Sequence, residues 1–386
     1  MKTILRLTLL QISLFLFACT GDGTSESGPT DFASSEDASG GGGGGQQGQA
    51  GLVTAGEWND LTNWDFWNNI LNEKDYSEMP AYWSFYHKNR ISFIVQNNNT
   101  PINNATIELI RNDAVIWAAK TDNFGKAELW AGIFQDEHLT DLNNLSLKIN
   151  GVLINQNLVL FKDGINEIDI TPNTQNLNNV ELSFIVDATG SMGDELEFLK
   201  EDLKSVINKV KQDDANLDIF TSTVFYRDEG DAYVTKASHF TNDLDETIAF
   251  INEQSANGGG DFPEAVHSAL DLAINDLQWS DSAKTRIAFL LLDAPPHYTP
   301  VIVENIQNTI KAAAKKGIKV IPITASGIDK NTEFLMRFMA ISTNATYVFI
   351  TNDSGIGNDH LEPSVGQYEV EKLNDLMVRL IKKYSE

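Results

Sequence analysis

Three clusters of oxygen-bearing side chains stand out for the chemistry they could do. Asp187, Thr189 and Ser191 take alternate positions in Asp187-Ala-Thr-Gly-Ser-Met192, and Asp261 and Glu264 follow three glycines in Gly258-Gly-Gly-Asp-Phe-Pro-Glu264. Asp293 closes an apolar run in Leu291-Leu-Asp-Ala-Pro-Pro-His297. Carboxylate and hydroxyl oxygens suit a hard divalent cation, and Mg2+ in particular takes few protein ligands and keeps several waters. Ca2+ and Mn2+ accept the same donors. Carboxylates packed together in a dry crevice repel strongly, and a divalent ion removes that cost. Three glycines would let the second stretch fold tightly against such an ion and carry Asp261 inward. The expected chemistry is cation binding, with Asp187, Thr189, Ser191, Asp261 and Asp293 as the ligands.

These residues need elements that bring them to one place. Val180-Glu-Leu-Ser-Phe-Ile-Val186 reads as a buried strand, and a helical pattern runs from Glu195 to Val210. The first cluster therefore sits where a strand ends and a helix begins, the edge at which open α/β sheets place ligands. Within residues 178–386, strand-like runs at 181–187, 217–226, 234–239, 286–293, 319–324 and 346–351 alternate with helical ones. The helical runs are 193–211, 243–255, 263–278, 301–316, 330–341 and 367–384. This order predicts a doubly wound, mostly parallel sheet covered on both faces. The short run after Tyr226-Arg-Asp-Glu-Gly-Asp231 predicts an antiparallel edge hairpin. Asp187 and Asp293 then end strands at one edge.

Residues 178–386 resemble the von Willebrand factor type A domain with its metal-ion-dependent adhesion site. The family pattern is Asp-x-Ser-x-Ser, a Thr from a second loop and an Asp at a later strand end. Asp187 takes the first place, Thr189 stands at the first serine, Ser191 at the second, and Asp293 at the last aspartate. Asp261 departs from the pattern, occupying the loop where the family commonly has Thr. The stretches Phe225-Tyr-Arg-Asp228 and Gly258-Gly-Gly-Asp-x-Pro-Glu264 look like the bacterial and alpha-kinase-associated branch. The resemblance implies that Thr189, Ser191 and Asp261 touch the metal directly, with Asp187 and Asp293 doing so directly or through water. It also implies an open coordination position for a partner. An added carboxylate at Asp261 lowers the charge of the site, which favours a neutral partner oxygen or a tighter hold on Ca2+ or Mn2+. Arg227, Asp228, Glu264 and His297 are expected to support the site or to touch the partner. Capping offers a plainer account of any single loop, since Asp, Ser and Thr are favoured at helix N-termini. It does not explain three loops together.

An enzyme is not expected. Asp187 resembles a phosphorylated aspartate, but Ala188 stands where pumps carry Lys, and Thr189 where the related phosphatases carry a second Asp. No Walker sequence is present, and a nucleophile elbow centred on Ser191 would need glycine at Thr189. His239, His267 and His297 lack metal-ligand spacing.

The remaining sequence sets the context. A formal charge of −26 over 386 residues argues against nucleic acid, which is bound through clustered Lys and Arg. Residues 1–18 read as a signal peptide, with Lys2 and Arg6 ahead of the apolar Leu7–Phe17. Leu16-Phe-Ala-Cys19 resembles a bacterial lipobox, and Cys19 is the only cysteine, so a disulfide framework is excluded and lipidation at Cys19 is expected. Simple secretion after cleavage near Ala18 is the alternative. Residues 19–51, rich in Gly, Ser and acidic side chains, read as a flexible tether. Residues 52–87 read as a Trp-rich helical cap, with sugar binding by an exposed aromatic row as the other possibility. Alternating runs at 90–95, 105–110, 115–117, 126–130, 145–149 and 166–170 predict an antiparallel β-sandwich over 88–172. Its Pro101–Leu109 and Thr121–Ala127 stretches resemble carboxypeptidase regulatory-like modules. The sequence thus points to a lipid-anchored, surface-exposed outer-membrane protein of a bacterial envelope, held to the membrane through Cys19. Its metal face would bind a protein or glycan. The alternative is an assembly module of an envelope complex in which metal serves stability.

Overall fold

The computed structural model describes residues 49–171, 178–213, 217–356 and 359–386. The expected signal peptide, Cys19 and nearly all of the expected tether lie outside the described residues. The chain opens with strand β1 (Thr54–Trp58) and helices α1 (Trp64–Ile70) and α2 (Met79–Trp83). Eight strands follow: β2 (Arg90–Asn97), β3 (Thr100–Pro101), β4 (Thr106–Arg111), β5 (Ala114–Lys120), β6 (Lys126–Trp130), β7 (Leu145–Ile149), β8 (Val152–Ile154) and β9 (Asn166–Asp169). Strands and helices then alternate as β10 (Asn179–Asp187), α3 (Gly193–Asp213), β11 (Asp218–Tyr226), β12 (Thr235–Ala237), α4 (Leu244–Asn252) and α5 (Val266–Asp271). Last come β13 (Thr285–Leu292), α6 (Pro300–Lys316), β14 (Ile318–Thr324), α7 (Lys330–Ser342), β15 (Tyr347–Ile350), β16 (Glu371–Lys372) and α8 (Leu373–Ser385).

The main sheet runs β12-β11-β10-β13-β14-β15-β1-β16. Strands β10, β11, β13, β14 and β15 are mutually parallel, and β12 adds an antiparallel edge against β11. Every residue of β13 and β14 is buried, as a strand covered on both faces requires. Local chemistry fixes the helix ends. Thr299 caps α6 by accepting from Ile302 N, and Gly317 ends it at φ +71°, a left-handed conformation open to glycine. Helix α5 is shorter than the sequence pattern suggests, because residues Leu272–Asp276 widen into one π turn. Among the described residues, no helix is long and apolar enough to cross a membrane.

One strand was hidden in the sequence. β1 lies between β15 and β16, antiparallel to both, so the segment read as a purely helical cap also completes the main sheet. Its two helices bury Trp67 and Trp83, with Trp67 stacked on Phe334 of α7 at 5.7 Å between centroids. Two four-stranded sheets make up the next segment, β3-β2-β6 with β9 beside β2, and β5-β4-β7-β8. They depart from the expected all-antiparallel pairing at one place, since β9 runs parallel to β2. β6 lies against β4 and β5, where Ile107, Leu109, Trp117 and Leu129 share one buried core.

Candidate metal centre

β10 has β11 on one side and β13 on the other, so successive crossovers leave it in opposite directions and open a crevice beyond its carboxyl end. Asp187 is the last residue of β10 and Asp293 follows the last residue of β13. Asp187 is fully buried, and its Oδ1 accepts from Thr189 N at 2.8 Å and from Thr189 Oγ1 at 2.7 Å. Thr189 Oγ1 in turn lies 3.1 Å from the hydroxyl of Ser191, an exposed residue in the short 3-10 turn Gly190–Met192 just before α3. The first cluster is therefore one connected group.

The glycine loop lies directly on it. Gly258 and Gly259 adopt φ of +81° and +72°, and a Cβ on Gly259 would stand 2.8 Å from Glu264 Oε1 and 3.4 Å from Thr189 Cβ. Gly190 N donates to Gly258 O at 3.1 Å, and Asn257 N to Ala188 O at 3.0 Å. The carboxylate delivered inward differs from the expected one. Glu264 is 3% exposed, whereas Asp261 is exposed on the loop surface. Backbone pairing explains the exchange: Glu264 N donates to Pro295 O at 2.9 Å, pinning Glu264 to the third loop, while Asp261 falls in the bend before it.

The flanking residues hold the loops in place. Arg227 is buried and pairs with carbonyls, donating from Nε to Ala188 O at 3.1 Å and from Nη2 to Ser255 O at 2.8 Å. Its fork thus clamps the first loop to the second. Asp228 Oδ1 lies 2.6 Å from His297 Nε2, which ties the end of β11 to the third loop. Asp231, which the sequence reading passed over, accepts from Gly259 N at 2.8 Å and from Asp228 N at 3.1 Å. Its position after Gly230 in a turn was the available signal.

Electrostatics single out the same place. Burial raises the Asp187 carboxyl above its ordinary range, and the charge of Asp293 raises it further. Asp293 is raised by burial and by Glu195, partly countered by the Ser191 hydroxyl. Glu264 is pushed up to about 8, first by burial and then by the charges of Asp187 and Asp228. Asp187 Oδ2, Glu264 Oε2 and Asp293 Oδ1 are buried without a close hydrogen-bond partner, although the Tyr226 hydroxyl lies near enough to Asp187 to favour its ionised form. Buried polar atoms are ordinarily satisfied, and a hard cation would satisfy these carboxylate oxygens together. Among the described residues no three His, Cys, Asp or Glu side chains converge as a ligand set, so the Thr189 and Ser191 hydroxyls would have to share the task. With that sharing, the donors present fit Mg2+ or a similar ion.

Residues 181–357 match the family described as von Willebrand factor A domain. An ariadne-like RING finger protein of Acanthamoeba polyphaga mimivirus is 34% identical over 31% of this chain and 11% of its own length. The alpha-protein kinase vwkA of Dictyostelium discoideum is 31% identical over 40% of this chain and 24% of its own length. The matched region thus spans a quarter or less of either relative. Among solved structures, the BatB protein of Bacteroides thetaiotaomicron is 15% identical, with a TM-score of 0.38 over 53% of this chain and 98% of its own. Residues 181–357 are accordingly a von Willebrand factor A domain, carried within a longer chain.

Proposed function

We propose that the crevice binds a divalent cation, Mg2+ foremost with Ca2+ and Mn2+ as alternatives, and that the protein uses it to hold a protein or glycan partner. One observation carries the reading: buried oxygens of Asp187, Glu264 and Asp293 lack close hydrogen-bond partners at the sheet edge where Thr189 Oγ1 links Asp187 to the Ser191 hydroxyl. A bound ion supplies the positive charge these carboxylates lack and a coordination position for a partner oxygen. Glu264 takes over the part expected of Asp261 and lowers the net charge of the loaded site. A neutral amide or hydroxyl oxygen therefore suits the open position better than a carboxylate. Phe262 on the glycine loop, Tyr298 on the third loop and Val301 in the first turn of α6 are exposed and offer apolar contact area to the same partner. We further read the two small sheets as a β-sandwich spacer, and Cys19 as the lipid anchor that displays the domain on a bacterial outer membrane.

The decisive test is melting of the full chain in chelator, Mg2+, Mn2+ or Ca2+, beside Ser191→Ala. An ion at about 100 times its Kd adds about 2.7 kcal/mol, a readily seen rise in melting temperature. The expected result is a rise in wild type that Ser191→Ala abolishes. Equal melting in chelator and in every ion would overturn the proposal.

A further inference from the structure

Where β5 packs against α6, the seam between the small sheets and the von Willebrand factor A domain holds a cavity of about 220 Å3. Trp117, Trp130, Ile133 and Phe134 form its apolar wall, and Arg111 at the end of β4 and Lys311 on α6 supply its charge. Among the described residues no Asp or Glu lines it, in a chain whose formal charge is −26. Arg111 Nη1 meets Glu137 Oε2 at 2.9 Å, whereas Nε and Nη2 are buried without a hydrogen-bond partner. The Nε–H and one Nη2–H of a guanidinium point the same way and form the fork that takes both oxygens of a carboxylate. Elsewhere in this chain that fork is used. Arg90 meets Glu128 through Nε and Nη2 at 2.8 Å each, and Arg337 meets Asp60 at 2.9 and 2.6 Å. The Arg111 fork is buried too, yet among the described residues no carboxylate bonds to it. The indole N–H groups of Trp117 and Trp130 are also buried without a partner. Lys311 is half-buried and has no ion pair among the described residues.

We propose that this cavity binds a small organic anion, a carboxylate carried on an apolar body the size of one ring. The fork and Lys311 select the head group. A buried donor without a partner is costly, and an acceptor brought by a ligand removes that cost. The fork favours a carboxylate over a neutral amide, whose single oxygen leaves one of the two parallel N–H groups unmet. Phosphate and sulfate match the fork as well, but they would bury further charged oxygens against Ile133 and Phe134. Size sets the rest. An apolar cavity of about 150 Å3 admits benzene, so this one has room for a ring on a short carboxylate-bearing stem. Trp117 and Phe134, 6.0 Å apart between centroids and 58° between planes, offer such a body both ring faces and ring edges. Junctions between domains are common places for small-molecule sites. Arg111 belongs to the small sheets and Lys311 to the von Willebrand factor A domain, so an occupant would tie the two together.

The test titrates the full chain with phenylacetate by calorimetry, beside neutral phenylacetamide and inorganic phosphate. Phenylacetate is expected to bind with one equivalent, and the amide and phosphate about tenfold more weakly or less. Arg111→Lys keeps the charge and removes the fork, and is expected to weaken phenylacetate about tenfold. Lys311→Met, on α6, is expected to weaken it severalfold and guards against misfolding of the arginine variant. The cavity and the crevice share no residue, so chelator and Ser191→Ala should leave the titration unchanged, and failure of the crevice reading would not touch this one. No saturable binding of phenylacetate, equal affinity for the acid and its amide, or unchanged affinity in both variants overturns the proposal.

Discussion

If three carboxyls are buried against one another in the crevice, the metal-free protein should lose stability as pH rises, and Glu264→Gln should remove a defined part of that loss. Glu264 is 3% exposed, and its carboxyl is pushed from an ordinary value of 4.5 up to about 8. Between those limits the native state holds a proton that the unfolded chain has released. Stability therefore falls with rising pH by about 1.4 kcal/mol per pH unit for this group alone. From pH 5 to pH 7 the loss amounts to about 2.7 kcal/mol. Asp187 and Asp293 are raised as well, and they steepen the fall over the lower part of the range. The glutamine variant keeps the shape and cannot ionise, so its pH slope should be shallower by about 1.4 kcal/mol per unit. Urea unfolding at pH 5, 6 and 7 in metal-free buffer measures this directly, with a parallel series in Mg2+. Saturating Mg2+ should flatten the wild-type slope, because an ion satisfies the ionised carboxylates. Wild type and Glu264→Gln with the same slope would refute the reasoning, because Glu264 would then ionise as freely as it does in the unfolded chain.

Four further outcomes follow from the same contacts. Asp261→Asn should change Mg2+ affinity less than twofold by calorimetry, because Asp261 is exposed, whereas Glu264→Gln should weaken it about tenfold, about 1.4 kcal/mol. Gly259→Ala imposes left-handed strain of about 1–2 kcal/mol and drives a methyl to 2.8 Å from Glu264 Oε1, so thermal melting and Mg2+ affinity should both drop. Arg337→Met leaves the buried Asp60 without the guanidinium that meets it at 2.6 Å, while Glu333 keeps Lys330 at 3.0 Å, and should cost about 3–5 kcal/mol in urea unfolding. A fragment of residues 178–386 lacks β1 and the Trp67 cover over Phe334, and should melt below residues 49–386 or aggregate through the bared edge of β15.

What could be read from the chain depended on whether a residue's fate was set locally. The parallel strands were legible because burial on both faces demands unbroken apolar runs, as in Ile287–Leu292, and their spacing with helical patterns dictated the sheet. β1 was not legible, since Thr54-Ala-Gly-Glu-Trp58 is short and polar, with a glycine at its centre. Its strand character comes from its neighbours. A Cβ at Gly56 would lie 2.6 Å from the Phe349 ring and 2.8 Å from Tyr368, so the glycine is there to admit those rings. The loops of the proposed metal site divide in the same way. Asp187, Thr189 and Ser191 are joined by bonds within five residues, and their spacing alone carried the reading. The second loop turns on a contact between Glu264 and Pro295, far apart in the chain, which no local pattern could supply. Sequence reasoning therefore chose the carboxylate nearest the glycines, while the fold chose the one whose backbone the third loop holds. Glu195 and His360 mark the limit of such reasoning, because each looks like an ordinary helix-start or loop residue until the sheet brings them within 3.2 Å. The proposed function at this edge thus rests on long-range pairing, and if the crevice holds a metal, substitutions in the remote strands that set the pairing should disturb its binding as surely as substitutions among the proposed ligands.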